Sequence, residues 1–331
     1  MMPRLIALAA PAAVAAAALT GAAAQAATLN STTSLARNHD QVVAYFDLFH
    51  NPFNKAKNGV TLNYKGGPEV IPNRKQGAAL KRGVIDFMFG PSTYYASEVP
   101  ETRVVTLSNR PHEELRRNGA YDLLQVAWAK GLNARIVAHP FYGGSTFHVY
   151  LRSEPRISEK TGLDLNGLKL RSTPAYVPFM KAMGATAVSI SPGEVYTALQ
   201  RGVVDGLAWP EGGVAVYGWQ AYIKYRVGPG FWRSSSMVVI NLDKYKSMTK
   251  KERDVIDAAG LEFEKTSGAY LRKLADADNA KVFKAGVKPI DLDGKAGTAF
   301  TSTVYNATWE AARKYDLAVS YDKLKALLLS E

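Results

Sequence analysis

The stretch 167–210, GLKLRSTPAYVPFMKAMGATAVSISPGEVYTALQRGVVDGLAWP, constrains the fold more than any other part of this chain. Its apolar runs Leu168–Arg171, Ala187–Ile190 and Val203–Ala208 read as strands. The helical segments between them carry start and stop signals. Ser172 or Thr173 can cap the first helix, Pro174 sits in its first turn and Gly184 ends it. Ser191-Pro192-Gly193-Glu194 is a capping box that opens the second, and Gly202 stops it just past Arg201. The pattern is β-α-β-α-β. Right-handed crossovers make such strands parallel, and open parallel sheets bind ligands beyond the carboxyl ends of their strands. Arg171, Ser191 and Trp209 stand at those ends, so a cation and a large aromatic meet on one rim.

The first half of the chain repeats the plan. Thr28–Ser31, Val60–Tyr64 and Val84–Phe89 read as strands. A helix over Leu35–Phe49, with Val42, Val43, Phe46 and Phe49 on one face, is expected to break at Asn51-Pro52. A second runs from Asn73 to Arg82, stopped by Gly83. The segment Ala79–Asp86, ALKRGVID, matches Ala198–Asp205, ALQRGVVD, at six of eight positions. Two lobes built on one plan, with facing rims, would enclose a cleft. Further along, Arg103–Leu107 and Arg135–Ala138 read as strands around a helix over Glu113–Gly131. Thr146–Leu151 suits a strand crossing into the second lobe, and Met237–Asn241 one that returns. Thr249-Lys250-Lys251-Glu252 is another capping box, opening a helical region to about Lys284 with bends expected at Gly260 or Gly268. Val287–Leu292 is extended, and helical segments close the chain.

With 331 residues and an apolar fraction of 47%, the chain is long enough for two ordinary domains. Residues 1–26 read as a signal peptide: Arg4, an Ala-rich apolar run over Leu5–Leu19, and an A-x-A site at Ala24-Gln25-Ala26. The expectation is an exported, periplasmic, soluble protein, cleaved near Ala26. The absence of cysteine excludes thiol nucleophiles and Cys-based metal sites, and none of the five histidines has zinc spacing. The formal charge of +12 becomes +11 without Arg4 (40 basic against 29 acidic). These charges are scattered singly or in pairs, with no basic run interleaved with aromatics, which argues against nucleic-acid binding. A basic field does draw in small anions.

Sequence motifs for catalysis are missing. There is no GxSxG elbow and no GxxxxGK[ST] loop. Asp205 and Glu211 could be read as a carboxylate pair, but Asp205 also suits a turn at a strand edge. No acid, base or nucleophile is called for, so no catalytic residue is assigned. Arg171 is different. A guanidinium at a strand end can hold a carboxylate through two parallel hydrogen bonds; the other reading is a salt bridge between elements.

The run Gly167-Leu168-Lys169-Leu170-Arg171, then Met183-Gly184-Ala185, Ser191, Glu194-Val195-Tyr196, Ala198-Leu199-Gln200 and Gly202–Gly206, resembles the solute-binding proteins of tripartite ATP-independent periplasmic (TRAP) transporters, the DctP type. The resemblance covers most of the chain after the signal and is most specific in 167–210. It implies an α/β fold, a two-lobed clam of mixed sheets flanked by helices, with long C-terminal helices. The lobes would comprise 27–145 plus about 236–274, and 146–235 plus about 275–331. It implies that Arg171 grips the carboxylate of a small organic acid between the lobes. It also implies partner membrane subunits, one small and one large, that accept the acid and couple transport to an ion gradient.

The chain departs from the sialic-acid and C4-dicarboxylate branches. Those usually carry Asn where Trp209 stands, and often a second arginine near Phe147 and His148. Both departures replace polar contacts with aromatic ones and favour a monocarboxylate. Family members with Trp at this place bind 2-oxo or 2-hydroxy acids, sometimes beside a cation, for which Glu211 is a candidate ligand; no other metal or cofactor is implied. Thr93, Tyr94, Glu69, Phe147 and Trp232 are the further candidates for the pocket wall. An exported enzyme acting on an organic acid in the same cleft is the alternative, which turnover of a bound acid would reveal. A receptor feeding a sensor would lack genomic neighbours encoding the two membrane subunits.

Overall fold

The computed structural model describes residues 27–140 and 146–330; the proposed signal peptide lies outside them. The strands are β1 (Ala27–Thr33), β2 (Val60–Gly66), β3 (Phe87–Pro91), β4 (Ala134–Ala138), β5 (Thr146–Leu151), β6 (Arg156–Ser158), β7 (Gly162–Asp164), β8 (Lys169–Ser172), β9 (Thr186–Ser189), β10 (Gly206–Pro210), β11 (Tyr225–Arg233), β12 (Ser236–Asn241) and β13 (Lys288–Asp291). One sheet has the order β2-β1-β3-β12-β4 and the other β13-β11-β5-β10-β8-β9, while β6 and β7 form a small hairpin. The molecule is therefore two-lobed. Strands β8, β9 and β10 are parallel, as the right-handed crossover rule requires. So are β1, β2 and β3.

The chain passes between the sheets at β4 to β5, again across Ser234-Ser235 from β11 to β12, and finally through the long helix Lys250–Lys284 to β13. That helix opens on the expected Thr249–Glu252 capping box and is continuous over 35 residues. Gly260 lets it approach β4: a Cβ there would stand 2.4 Å from the Val137 carbonyl oxygen. Glu264 pairs with Arg116 in the first lobe, while Arg272 and Asp278 reach Glu211 and the Ala215 amide in the second. One rigid rod thus braces both lobes.

The internal echo is structural. In each unit the helix ends at a left-handed glycine, Gly83 or Gly202. The aspartate that follows then clasps a neighbouring strand. The Asn30 amide donates to Asp86 Oδ2 and the Lys169 amide to Asp205 Oδ2, both at 2.8 Å. The amides of the two aspartates return bonds to the carbonyls of Asn30 and Lys169, at 2.9 and 2.7 Å. This clasp corrects the expected strand starts. Val84 and Val203 are 59% and 47% exposed turn residues, and each strand begins only after its aspartate. Asp205 thus occupies the turn at the strand's edge and forms no carboxylate pair in a cleft.

Other boundaries also differ from expectation. Asn51-Pro52 does not end the first helix. A π turn over Phe46–His50, with the Asn51 amide donating to the Phe46 carbonyl, leads into a further helix Asn51–Lys55. The wider turn tolerates a proline that brings no N–H. Arg103–Leu107 is not a strand; Thr102–Val105 is helical. Its β-branched residues follow Pro100 and meet a strand only at one point, where the Arg233 amide donates to the Thr106 carbonyl, and Arg103 reaches the Ala96 and Pro174 carbonyls. The Glu113–Gly131 segment is two helices, His112–Arg117 and Ala120–Leu132, divided at left-handed Gly119.

Candidate functional site

The two parallel units face each other, and the ends of their strands meet in one seam. Along β8 the side chains of Leu170 and Arg171 are both buried, Arg171 completely. Its Nε donates to the Ile190 carbonyl at 2.9 Å, which pins the guanidinium to the end of β9. Nη1 and Nη2 are buried and make no well-formed hydrogen bond, although the Tyr94 and Tyr176 hydroxyls lie near enough to interact with the guanidinium. The guanidinium carbon stands 5.1 Å from the Trp209 ring, within cation–π range. Buried polar groups are almost always paired. A fully buried guanidinium with two such nitrogens is therefore shaped for an acceptor that takes both, which is what a carboxylate does.

Residues from both lobes wall the seam. Leu35, Thr93 and Tyr94 from one side, and Phe147, Tyr176 and Trp209 from the other, enclose a cavity of about 20 Å³. That is room for roughly one water. Tyr94 has a buried hydroxyl beside Arg171 with no well-formed hydrogen bond. Burial pushes its pKa up, against the pull of the Arg171 charge. Outward along the same seam, Ser34, Glu69 and Asn73 face Ser191, Glu194 and Tyr217 across a groove of about 400 Å³, within the ligand-pocket range. Ser34 lines the groove and the next residue, Leu35, lines the cavity, so the two are neighbours. The Ser191–Glu194 capping box, present as expected, forms the groove's far wall.

Trp209 is 3% exposed. Its Nε1–H donates to the Gly212 carbonyl at 3.2 Å, and its ring meets Trp219 edge-on at 4.9 Å and Tyr217 at 6.0 Å. It is thus core and cavity wall together. Trp232 does not line the cavity. It packs behind it, against Phe147, Tyr176 and Phe179. A left-handed backbone at Trp232 turns its ring into the core. Glu69 lies away from Arg171 at the outer groove, where its Oε1 accepts from the Gly67 amide at 2.6 Å. Sequence reasoning missed Tyr176, concealed in an ordinary helical segment, which lines the cavity.

Glu211 is held by cations already in the chain. Arg272 lies at 2.7 Å, His148 at 3.3 Å and Arg226 at 3.6 Å. Burial alone would raise its pKa, but hydrogen bonds from His148 and Arg272, with their charges, bring it down to about 2. Three basic groups around one carboxylate disfavour the expected role as cation ligand. Among the described residues no group of three His, Asp or Glu side chains stands ready for a metal. Because the folded pKa lies below the ordinary 4.5, the stability from ionised Glu211 is complete above pH 4.5 and is lost as pH falls through 2. Glu211→Gln should therefore cost on the order of 3 kcal/mol at pH 7. Urea unfolding at pH 7 and pH 3 should show the gap to the parent protein narrowing in acid; an unchanged gap would contradict the assignment.

The fold is two-lobed, with a fully buried arginine at the end of a strand beside the seam. Residues 160–314 match the DctP family, described as bacterial extracellular solute-binding protein, family 7. The 2,3-diketo-L-gulonate-binding periplasmic protein YiaO of Escherichia coli is 30% identical over 183 residues, 52% of each chain. The chain thus aligns with about half the length of that relative. A TRAP periplasmic solute-binding protein from Desulfovibrio salexigens, solved with bound orotic acid, superposes with a TM-score of 0.79 at 17% identity, covering 91% of this chain and 97% of that one. A TRAP solute-binding protein from Bordetella bronchiseptica, with calcium and picolinate in its active site, superposes at 0.77 and 19% identity, covering 91% of each. Residues 160–314 thus match the DctP family model, and the fold is the one that TRAP solute-binding proteins adopt.

Proposed function

We propose that this protein captures a small organic acid in the seam between its lobes and delivers it to the membrane subunits of a TRAP transporter. The observation that carries this reading is the fully buried Arg171, whose Nη1 and Nη2 make no well-formed hydrogen bond. The carboxylate takes both nitrogens. Trp209, Phe147 and Tyr176 cover the apolar body of the acid, and Thr93 and Tyr94 close it from the facing lobe. The lobes are 27–145 plus about 236–274, and 146–235 plus about 275–331, and a ligand that touches both rims favours their closed arrangement. The aromatic wall favours a monocarboxylate. Glu211, already neutralised by its neighbours, stays outside the ligand set. The chain acts as a receptor and not as an enzyme, in the periplasm, after cleavage near Ala26. The relatives support the chemistry: orotate, picolinate and diketogulonate are all organic acids.

A thermal-shift series tests the reading. Anything that binds only the folded state raises its melting temperature. Across acetate, lactate, pyruvate, benzoate, orotate and picolinate, at least one acid should raise it, while the matching neutral amide should not. Equal shifts from acid and amide, or no shift from any acid, would contradict it.

A further inference from the structure

Arg171 does not stand alone in the seam. Arg74 belongs to the facing lobe, in the turn Asn73–Lys75 that leads into the helix Gln76–Lys81. Its Nη1 crosses the seam and donates to Ser189 Oγ at 2.5 Å. Arg171 donates to the carbonyl of the very next residue, Ile190. Two guanidiniums from opposite lobes therefore share adjacent anchor points at the end of β9. Arg74 Nε and Nη2 are also buried and unpaired. Burial, and after it the charge of Arg171, lowers the Arg74 pKa, and Tyr94 and Glu194 pull the other way. Glu194 is occupied: its Oε2 accepts from the Ser191 amide at 3.2 Å in the capping box. Tyr94, whose buried hydroxyl makes no well-formed hydrogen bond, feels both arginines.

Like charges brought together out of water repel, and a shared anion reverses the sign of that interaction. A carboxylate has two oxygens with about four acceptor sites, enough for two guanidiniums. We propose that Arg74 is a second anion-binding residue and that the ligand carboxylate bridges Arg74 and Arg171 when the lobes close. This rests on the receptor reading above and adds to it a reason for closure. Without an anion, closing the lobes forces two cations together. With one, the same motion completes its coordination. The pair thus makes closure depend on a negative charge, whatever the apolar body attached to it.

The test uses Arg74→Gln, which removes the charge and keeps a donor for Ser189. Spin labels are placed on Lys65 and Lys160, one exposed residue in each lobe, and the distance between them is measured in the full protein by pulsed electron resonance. Without added acid, Arg74→Gln should populate the short-distance, closed arrangement more than the parent does. An unchanged distribution, or a shift to the open one, would overturn the closure argument. Titration then uses the acid with the largest thermal shift in the series above. Affinity should fall about 10- to 100-fold in Arg74→Gln, at an unchanged melting temperature without acid. Parent-like affinity in Arg74→Gln alongside loss in Arg171→Gln would overturn the bridge and leave the receptor reading standing. Parent-like affinity in both variants would overturn both.

Discussion

Arg171→Met is expected to abolish carboxylate binding while the protein still folds. The guanidinium is fully buried and spends only Nε on the protein, at the Ile190 carbonyl. Its other two nitrogens make no well-formed hydrogen bond, so the substitution costs chiefly the one bond to the Ile190 carbonyl. Methionine fills similar space and takes no charge out of water. Removing an unpaired charge from the interior also relieves its desolvation penalty, which offsets that loss. Binding responds in the opposite direction. Truncating one partner of a buried, hydrogen-bonded charge pair costs about 2–5 kcal/mol, and 2.7 kcal/mol is roughly a 100-fold loss of affinity. Titration calorimetry and a melting curve on the same variant separate the effects. Parent-like affinity would remove Arg171 from the site. A collapsed melting temperature would make it a structural residue.

Trp209→Ala should give the largest stability loss of any single wall substitution, about 3–5 kcal/mol. The indole is almost fully buried, its N–H is satisfied by the Gly212 carbonyl, and it sits edge-on to Trp219 in a cluster that includes Tyr217 and His39. Removing it leaves a cavity beside the guanidinium it covered. Trp209→Phe keeps most of the apolar contact and should lose less than half as much. Urea unfolding measures both. A loss below about 1 kcal/mol for the alanine variant would contradict the packing described here. Trp209→Asn should move the preference among acids towards more polar ones, and an unchanged ranking would count against its role in the wall.

Most of the architecture was legible because punctuation and period agreed. The capping boxes at Ser191 and Thr249 close as drawn, and Gly83, Gly184 and Gly202 all adopt the left-handed conformation that stops a helix. The parallel order of β8, β9 and β10 then followed from connection length and handedness. The strand starts were misread for a physical reason. Val84 and Val203 look like strand residues, yet the aspartate two positions on anchors the turn, and only tertiary pairing reveals that. Arg103–Leu107 shows the same limit, since β-branched residues that meet a strand at only one point became a helical turn.

The site was legible in its chemistry and not in its geometry. Arg171 and Trp209 could be read from their places at strand ends, because the topology fixes where such ends point. Phe147, Thr93 and Tyr94 do line the cavity. Glu69, a candidate from the first lobe's rim, stands at the outer groove, and Trp232, which suits pocket or core, packs in the core. Glu211 looked like a free carboxylate because its partners His148, Arg226 and Arg272 lie far away along the chain. Arg74 was missed for the converse reason: a lone basic residue at a helix start looks solvated until the facing lobe is in place.

The position of the bound carboxylate decides whether Arg171 is the ligand's anchor. A crystal structure of the protein with the acid that most raises its melting temperature measures this directly. Carboxylate oxygens are expected within hydrogen-bond distance of Arg171 Nη1 and Nη2, with the apolar body of the acid against Trp209. An acid seated only in the outer groove, at the Ser191 end of its helix, with Arg171 untouched, would contradict that role.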